Sequence, residues 1–161
     1  MEKFDASQGI VSLRRIETRT SFELYHAMQG ETPVGSLRLD WTRNGAVLET
    51  VDGPGYGVYM DPIVKRFDTV LAYTGRIDPF GDFWDMPSYE TRFRTDHGSW
   101  FVKNRAVINA IIVCTQSKLV LMGSAVVNIG AGGLVKAFSK RDEFDTAVSK
   151  HGLPGRRRTS E

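Results

Sequence analysis

The chain has a single cysteine, Cys114, in 161 residues, so no intrachain disulfide can form and a reducing compartment is permitted. It has no uninterrupted apolar run of roughly 18 residues, so no spanning helix is expected. Met1 to Gly9 carries Glu2, Asp5 and Gln8 and has no apolar core, so a signal peptide is not expected there. The expected location is therefore the cytoplasm. A net charge of +2 is too small to point to nucleic acid or an anionic membrane, and much of it sits in Arg156, Arg157 and Arg158. Phosphate-loop chemistry is also missing. The stretch Gly130-Ala131-Gly132-Gly133 follows a helical pattern and precedes an extended one, whereas phosphate loops follow a strand and open a helix. It reads as a helix end and a tight return. His26, His97 and His151 have no ligand spacing, so neither a metal nor a cofactor is expected. No nucleophile has an adjacent base, so the chain reads as a non-enzyme.

What is present is ordinary globular composition, 41% apolar and 25% charged, at a length that suits one domain with tails. Residues 1–35 read as an N-terminal extension, either an added strand or partly disordered. Ile10, Val11, Leu13 and Ile16 fit a short helix or a strand. Phe22, Leu24 and His26 alternate with Glu23 and Tyr25 as in an edge strand. Residues 36–152 read as the domain, and residues 153–161 as a basic flexible tail.

Within the domain, strand-like and helix-like segments alternate, which predicts an α/β fold with a mixed sheet and about four helices. Leu37, Leu39 and Trp41 alternate with Arg38 and Asp40. Asn44-Gly45 then predicts a type I′ turn, and Ala46 to Val51 completes a hairpin. Asp61-Pro62 marks the start of a first helix, with Ile63, Val64, Phe67, Val70 and Leu71 on one face and Gly75 ending it. A short strand is expected near Asp82-Phe83-Trp84, and a second helix from Pro87 or Ser88 to about Arg105. Tyr89, Phe93, His97, Trp100 and Asn104 share one face of that helix, and Gly98 marks a kink or a close contact. Ala110 to Cys114 reads as a central strand covered on both faces. Lys118 to about Asn128, capped by Thr115 or Ser117, reads as a third helix that is apolar nearly all round and buried. Leu134 to Phe138 is a last strand. Ser139 and Asp142 resemble a capping box for a fourth helix, with Phe144, Ala147 and Val148 turned inward and Gly152 and Pro154 ending it.

Most candidate chemical residues have ordinary structural readings. His97 reads as a packed histidine, since neighbouring Asp96 does not face it on a helix. Asp78, Asp82 and Asp85 read as turn and cap residues. Cys114 reads as a small core residue. Ser88 reads as the cap of the second helix. It is also a position where a phosphate would bring about two negative charges to a positive helix end.

The order of elements resembles the STAS domain, and SpoIIAA-like proteins in particular. The residues that carry the likeness are Ala46 to Gly53, Asp61 to Gly75, Phe83 to Ser88, Ala110 to Cys114 and the run Ser117-Lys118-Leu119-Val120-Leu121-Met122-Gly123, with Val126, Asn128 and Gly133 after it. The resemblance implies a non-enzymatic regulatory module of a bacterial cytoplasm that binds a partner protein or a second copy of itself. It places the contact or switch surface at Asp85, Ser88, Tyr89 and Arg92. The family's phosphorylated switch reads Asp-Ser-x-Gly or Asp-Thr-x-Gly. Here the stretch is Asp85-Met86-Pro87-Ser88-Tyr89-Glu90, with the serine displaced and the glycine absent. The alternative is a carrier of a small apolar ligand or lipid, in a pocket between sheet and second helix lined by Phe83, Phe93, Trp100 and Val126.

Overall fold

A computed structural model describes residues 11–154. The readings of Met1–Gly9 and of the Arg156–Arg158 run lie outside the described residues. The elements in chain order are β1 (Val11–Thr18), β2 (Phe22–Gln29), β3 (Thr32–Trp41), β4 (Ala46–Asp52), α1 (Met60–Thr74), β5 (Asp78–Asp85), α2 (Thr91–Asn104), β6 (Ile111–Cys114), α3 (Lys118–Gly130), β7 (Val135–Phe138) and α4 (Arg141–Lys150). The seven strands form one mixed sheet in sequence order, with β1 to β4 antiparallel and β4 to β7 parallel.

That order dictates where the helices go. A parallel sheet that grows in one direction by right-handed crossovers places every crossover on the same side. Accordingly α1, α2 and α3 form one layer over the sheet, around a core that includes Leu37, Leu39, Val47, Ile63, Phe67 and Val113. After the edge strand β7 no crossover remains. The chain turns under, and α4 covers the opposite face through Phe144 and Val148 against Leu48, Phe80 and Cys114. The strand at Ile111–Cys114 is thus covered on both sides as expected, but it lies second from the edge.

The extension adds strands to the same sheet. β1 is the edge, and β2 lies between β1 and β3. Its inward set is Tyr25 and Ala27 with Glu23, not Phe22, Leu24 and His26, because buried Glu23 is held by the Tyr25 hydroxyl at 2.6 Å and by Arg66 at 2.8 Å. On the opposite face the Arg38 guanidinium lies 4.0 Å from the Phe22 ring centroid.

Several boundaries differ from expectation for identifiable reasons. The β3–β4 loop is not a type I′ turn. Only Gly45, at φ 99°, takes the left-handed region. With Thr42 N–H donating to the Ala46 carbonyl and Gly45 N–H to that of Thr42, this is a three-residue loop closed by a left-handed glycine. Helix α1 begins at Met60, directly after a short 3₁₀ turn at Gly57–Tyr59, so Asp61 sits in the first turn instead of capping it. Gly75 ends the helix at φ 73°, as expected.

The second helix begins at Thr91, not at Pro87 or Ser88, because the preceding segment is occupied by strand-like pairing. Gly55 N–H donates to the Ser88 carbonyl and Glu90 N–H to the Gly55 carbonyl, at 2.8 and 2.9 Å. A side chain at Gly55 would collide with Met86 and Tyr89, which is why the two segments can approach only there. The Ser139–Asp142 box also does not form, since α4 is capped by Lys140 without a side-chain bond. The largest departure is α3. Ser117 caps it as expected, but only Val120 and Gly123 are buried.

Candidate functional site

Three features of the helix layer compete as the functional site. The first is a small cavity beneath α2 and α3. It has a volume of about 60 Å³ and is lined mainly by apolar groups, among them Phe83, Met86, Phe93, Phe101, Val113 and Val127. His97 and Glu49 form the buried part of its polar wall, with Arg94 and Ser124 also on its lining. Glu49 lies on β4 between Val47 and Val51, on the face turned to the helix layer, and is 2% exposed. The His97 Nε2 stands 2.8 and 3.0 Å from the two Glu49 carboxylate oxygens, and Nδ1 stands 2.6 Å from the Phe93 carbonyl. Both ring nitrogens therefore face acceptors, the arrangement of a doubly protonated imidazole. Burial opposes the charge, but the Glu49 carboxylate and the Phe93 carbonyl outweigh it and hold the His97 pKa above its ordinary value.

Two of the four residues expected to line an apolar pocket, Phe83 and Phe93, line this cavity. Trp100 does not, because its indole N–H donates to Asp68 of α1 and its ring packs at a tilt against Phe67, 4.8 Å between centroids. Val126 lines the outer groove between α2 and α3.

The second feature is the segment that joins β5 to α2. Ser88 is half-buried, three residues before the helix, and it does not cap it. Its neighbour Pro87 accepts from the Ser117 hydroxyl at 3.3 Å, which ties the segment to the start of α3. Tyr89 leans the same way, toward the Leu119 carbonyl and over Gly123, where a Cβ would strike its hydroxyl. Asp85 is exposed nearby. Arg92 turns away, toward α1, donating to Asp61 at 2.6 Å and to Asp96 at 3.1 Å. The structure thus ties Pro87 and Tyr89, on either side of Ser88, to the first turn of α3, holds the Ser88 carbonyl on Gly55, and turns Arg92 toward α1.

The third feature is the outer face of α3. Leu119, Met122, Val126 and Ile129 recur at helical spacing along one stripe, and Ile129 is 84% exposed. Val102 of α2 adds to the same apolar surface.

On the opposite face of the sheet, Asp82 accepts both terminal nitrogens of Arg141, at 2.6 and 2.5 Å, and Asp145 takes a further bond at 3.0 Å. Asp82 is therefore a clamp for α4. Burial pushes the Cys114 thiol up to about 11, so it stays protonated and packs as a core residue. No group of three or more potential ligands that could hold a metal ion occurs among the described residues, and none of their helices is long and apolar enough to cross a membrane.

No protein-family model matches the chain, and no curated protein matches it. A crystal structure of a DUF3478-family protein from Shewanella loihica PV-4, described as having a SpoIIAA-like fold, superposes on it with a TM-score of 0.51. The identity is 13%, over 72% of this chain and 94% of that one. The chain has the SpoIIAA-like fold.

Within that SpoIIAA-like frame, the partner of His97 was the residue missed by sequence reasoning. A signal for it existed: Glu49 occupies an inward position in the run Ala46 to Val51, where a carboxylate needs a buried partner. The exposed stripe of α3 had no such signal, because periodicity cannot tell an apolar helix that its own protein covers from one left open to solvent.

Proposed function

We propose that the chain is a non-catalytic, regulatory protein-interaction module of a bacterial cytoplasm, and that α3 is its contact element. The observation that carries this reading is the solvent-facing apolar stripe Leu119, Met122, Val126 and Ile129. Contiguous exposed apolar surface on an otherwise well-packed domain is the mark of an interaction site. The SpoIIAA-like fold agrees with a module of this kind, without naming its partner. Pro87 and Tyr89, the two neighbours of Ser88, touch the start of α3, so Ser88 lies beside the same surface. A phosphate on Ser88 would place about two negative charges at that edge and change what docks there.

The test is affinity capture from cells that express the protein, with three baits: wild type, Ser88→Asp, and a double variant Met122→Ser, Ile129→Ser. A protein retained by wild type and lost from the double variant supports the reading. Loss with Ser88→Asp adds the switch. Equal recovery by wild type and the double variant removes α3 from the role.

The carrier reading rests on the cavity beneath α2 and α3. At about 60 Å³ it holds a few waters and is small against the roughly 300 Å³ of an ordinary ligand pocket, so it serves a lipid only if α3 moves outward. Native mass spectrometry of freshly isolated protein decides it: a bound lipid mass would put the carrier reading ahead.

A further inference from the structure

We infer that the groove between α2 and α3 is a docking site for an acidic amphipathic helix of a partner protein, an inference that rests on the interaction-module reading above. The two helices run parallel, as successive right-handed crossovers require, and Gly98 lies beside Val127 as Gly130 lies beside Val102. These two glycines lower the wall on each side. The groove between them is floored by Val102, Val126 and Val127 and rimmed by Arg94 and Lys103. Leu119, Met122, Val126 and Ile129 continue the apolar surface along α3, so the exposed strip runs about 15 Å, the length of roughly three helical turns.

Charge selects the occupant. From His97 to Arg141 the sequence contains no Asp or Glu, while Lys103, Arg105, Lys118, Lys136, Lys140 and Arg141 all fall inside that stretch. Among the described residues no carboxylate pairs with Arg94, Lys103, Arg105 or Lys118, whereas Arg141 is taken by Asp82 and Asp145. The nearest carboxylate on α2, Asp96, is held by Arg92. A second copy brought face to face would set lysine and arginine against lysine and arginine, which disfavours a self-pair. A bilayer is flat, and the strip is concave between two helices. A helix with apolar residues at i, i+3 or i+4, and i+7, flanked by Glu and Asp, matches both the floor and the rim.

The test uses the full chain and three labelled synthetic peptides on the order of 18 residues. They share one Leu pattern at i, i+3 and i+7. One carries Glu and the second Lys at the remaining positions, and the third scrambles the acidic composition. Fluorescence anisotropy should show the acidic peptide binding at least about tenfold more tightly than the other two, weakening as salt is raised. Val126→Glu and Lys103→Glu should each weaken it about tenfold without changing the melting temperature, since both side chains are exposed. Equal affinity for acidic and scrambled peptides, or preference for the basic one, overturns the inference. So does binding to phosphatidylglycerol vesicles with no preference among peptides, or a dimer by sedimentation that the Val126→Glu change dissociates. Loss of the captured protein from the α3 double variant, together with no acidic preference here, would leave the module reading standing and refute only the occupant's charge.

Discussion

Helices α1 and α3 occupy equivalent places, the first and last of three crossovers over the same face of one sheet, yet they are finished differently. α1 sinks Ile63, Phe67 and Val70 completely, turns Lys65 outward and uses Asp68 to hold Trp100 of α2, leaving Tyr73 as its one large exposed apolar side chain. α3 has the more apolar sequence and buries less, keeping only Val120 and Gly123 from solvent. Helix stability in a folded protein comes mainly from the buried face, so α1 anchors the layer while α3 spends its apolar residues on the outside. The difference is one of coverage: the chain buries the apolar face of α1 and leaves that of α3 open to solvent.

The largest break in this comparison lies under α1. Phe67 is fully buried and meets Trp100, Phe101 and His97 at ring-centroid distances of 4.8, 6.1 and 6.5 Å. Phe67→Ala should cost about 3–5 kcal/mol, because the aromatic cluster can collapse only partly into the space left. Urea unfolding checks it, and a loss below about 1 kcal/mol would mean that α1 is not the anchor.

A smaller effect is expected in the middle of the layer, at the Glu49–His97 pair. Glu49→Gln leaves the His97 ring with a neutral partner and should destabilise by about 1–3 kcal/mol near pH 6. The raised pKa of His97 fixes the sign of the pH dependence. Stability from a raised pKa is fully present below the ordinary value of 6.5 and is lost as pH climbs through the folded value. The gap between wild type and Glu49→Gln should therefore narrow as pH rises from 6 into the alkaline range. A gap that widened with pH would show that His97 is neutral in the folded protein.

Much of this comparison was legible beforehand, and the illegible part has physical reasons. The Asp61–Gly75 helix could be read because one period of 3.6 and one left-handed glycine agree on its face and its end. The run Ala110–Cys114 could be read as doubly covered because all of it is apolar. The start of α2 could not, because the competing pairing of Gly55 with Ser88 and Glu90 is made across 33 residues of sequence or more. Nor could the polar wall of the cavity: Glu49 and His97 each look anomalous alone, and only the sheet register and the helix layer bring them within 2.8 Å. The start of α2 and the burial of α3 depart from expectation in opposite directions. The proline at 87 suggests a helix start at Ser88, though the backbone there is extended. α3 was buried by its composition, though a helix at the edge of a layer has no neighbour on its outer side.

The smallest expected effect sharpens the comparison most. Ile129→Ser removes a large apolar side chain from the end of α3, as Phe67→Ala removes one from the middle of α1. Because Ile129 is 84% exposed, the loss of stability should stay within about 0.5 kcal/mol, with isoleucine and serine differing little in helix propensity. Removal of exposed apolar surface should also raise the protein concentration at which association begins, readable by light scattering. If Ile129→Ser instead unfolds at a urea midpoint well below wild type, α3's outer face is covered within the chain itself. The asymmetry between the two helices would then be one of packing alone. An unchanged midpoint with a lost partner would fix the division of labour: α1 holds the fold and α3 presents it.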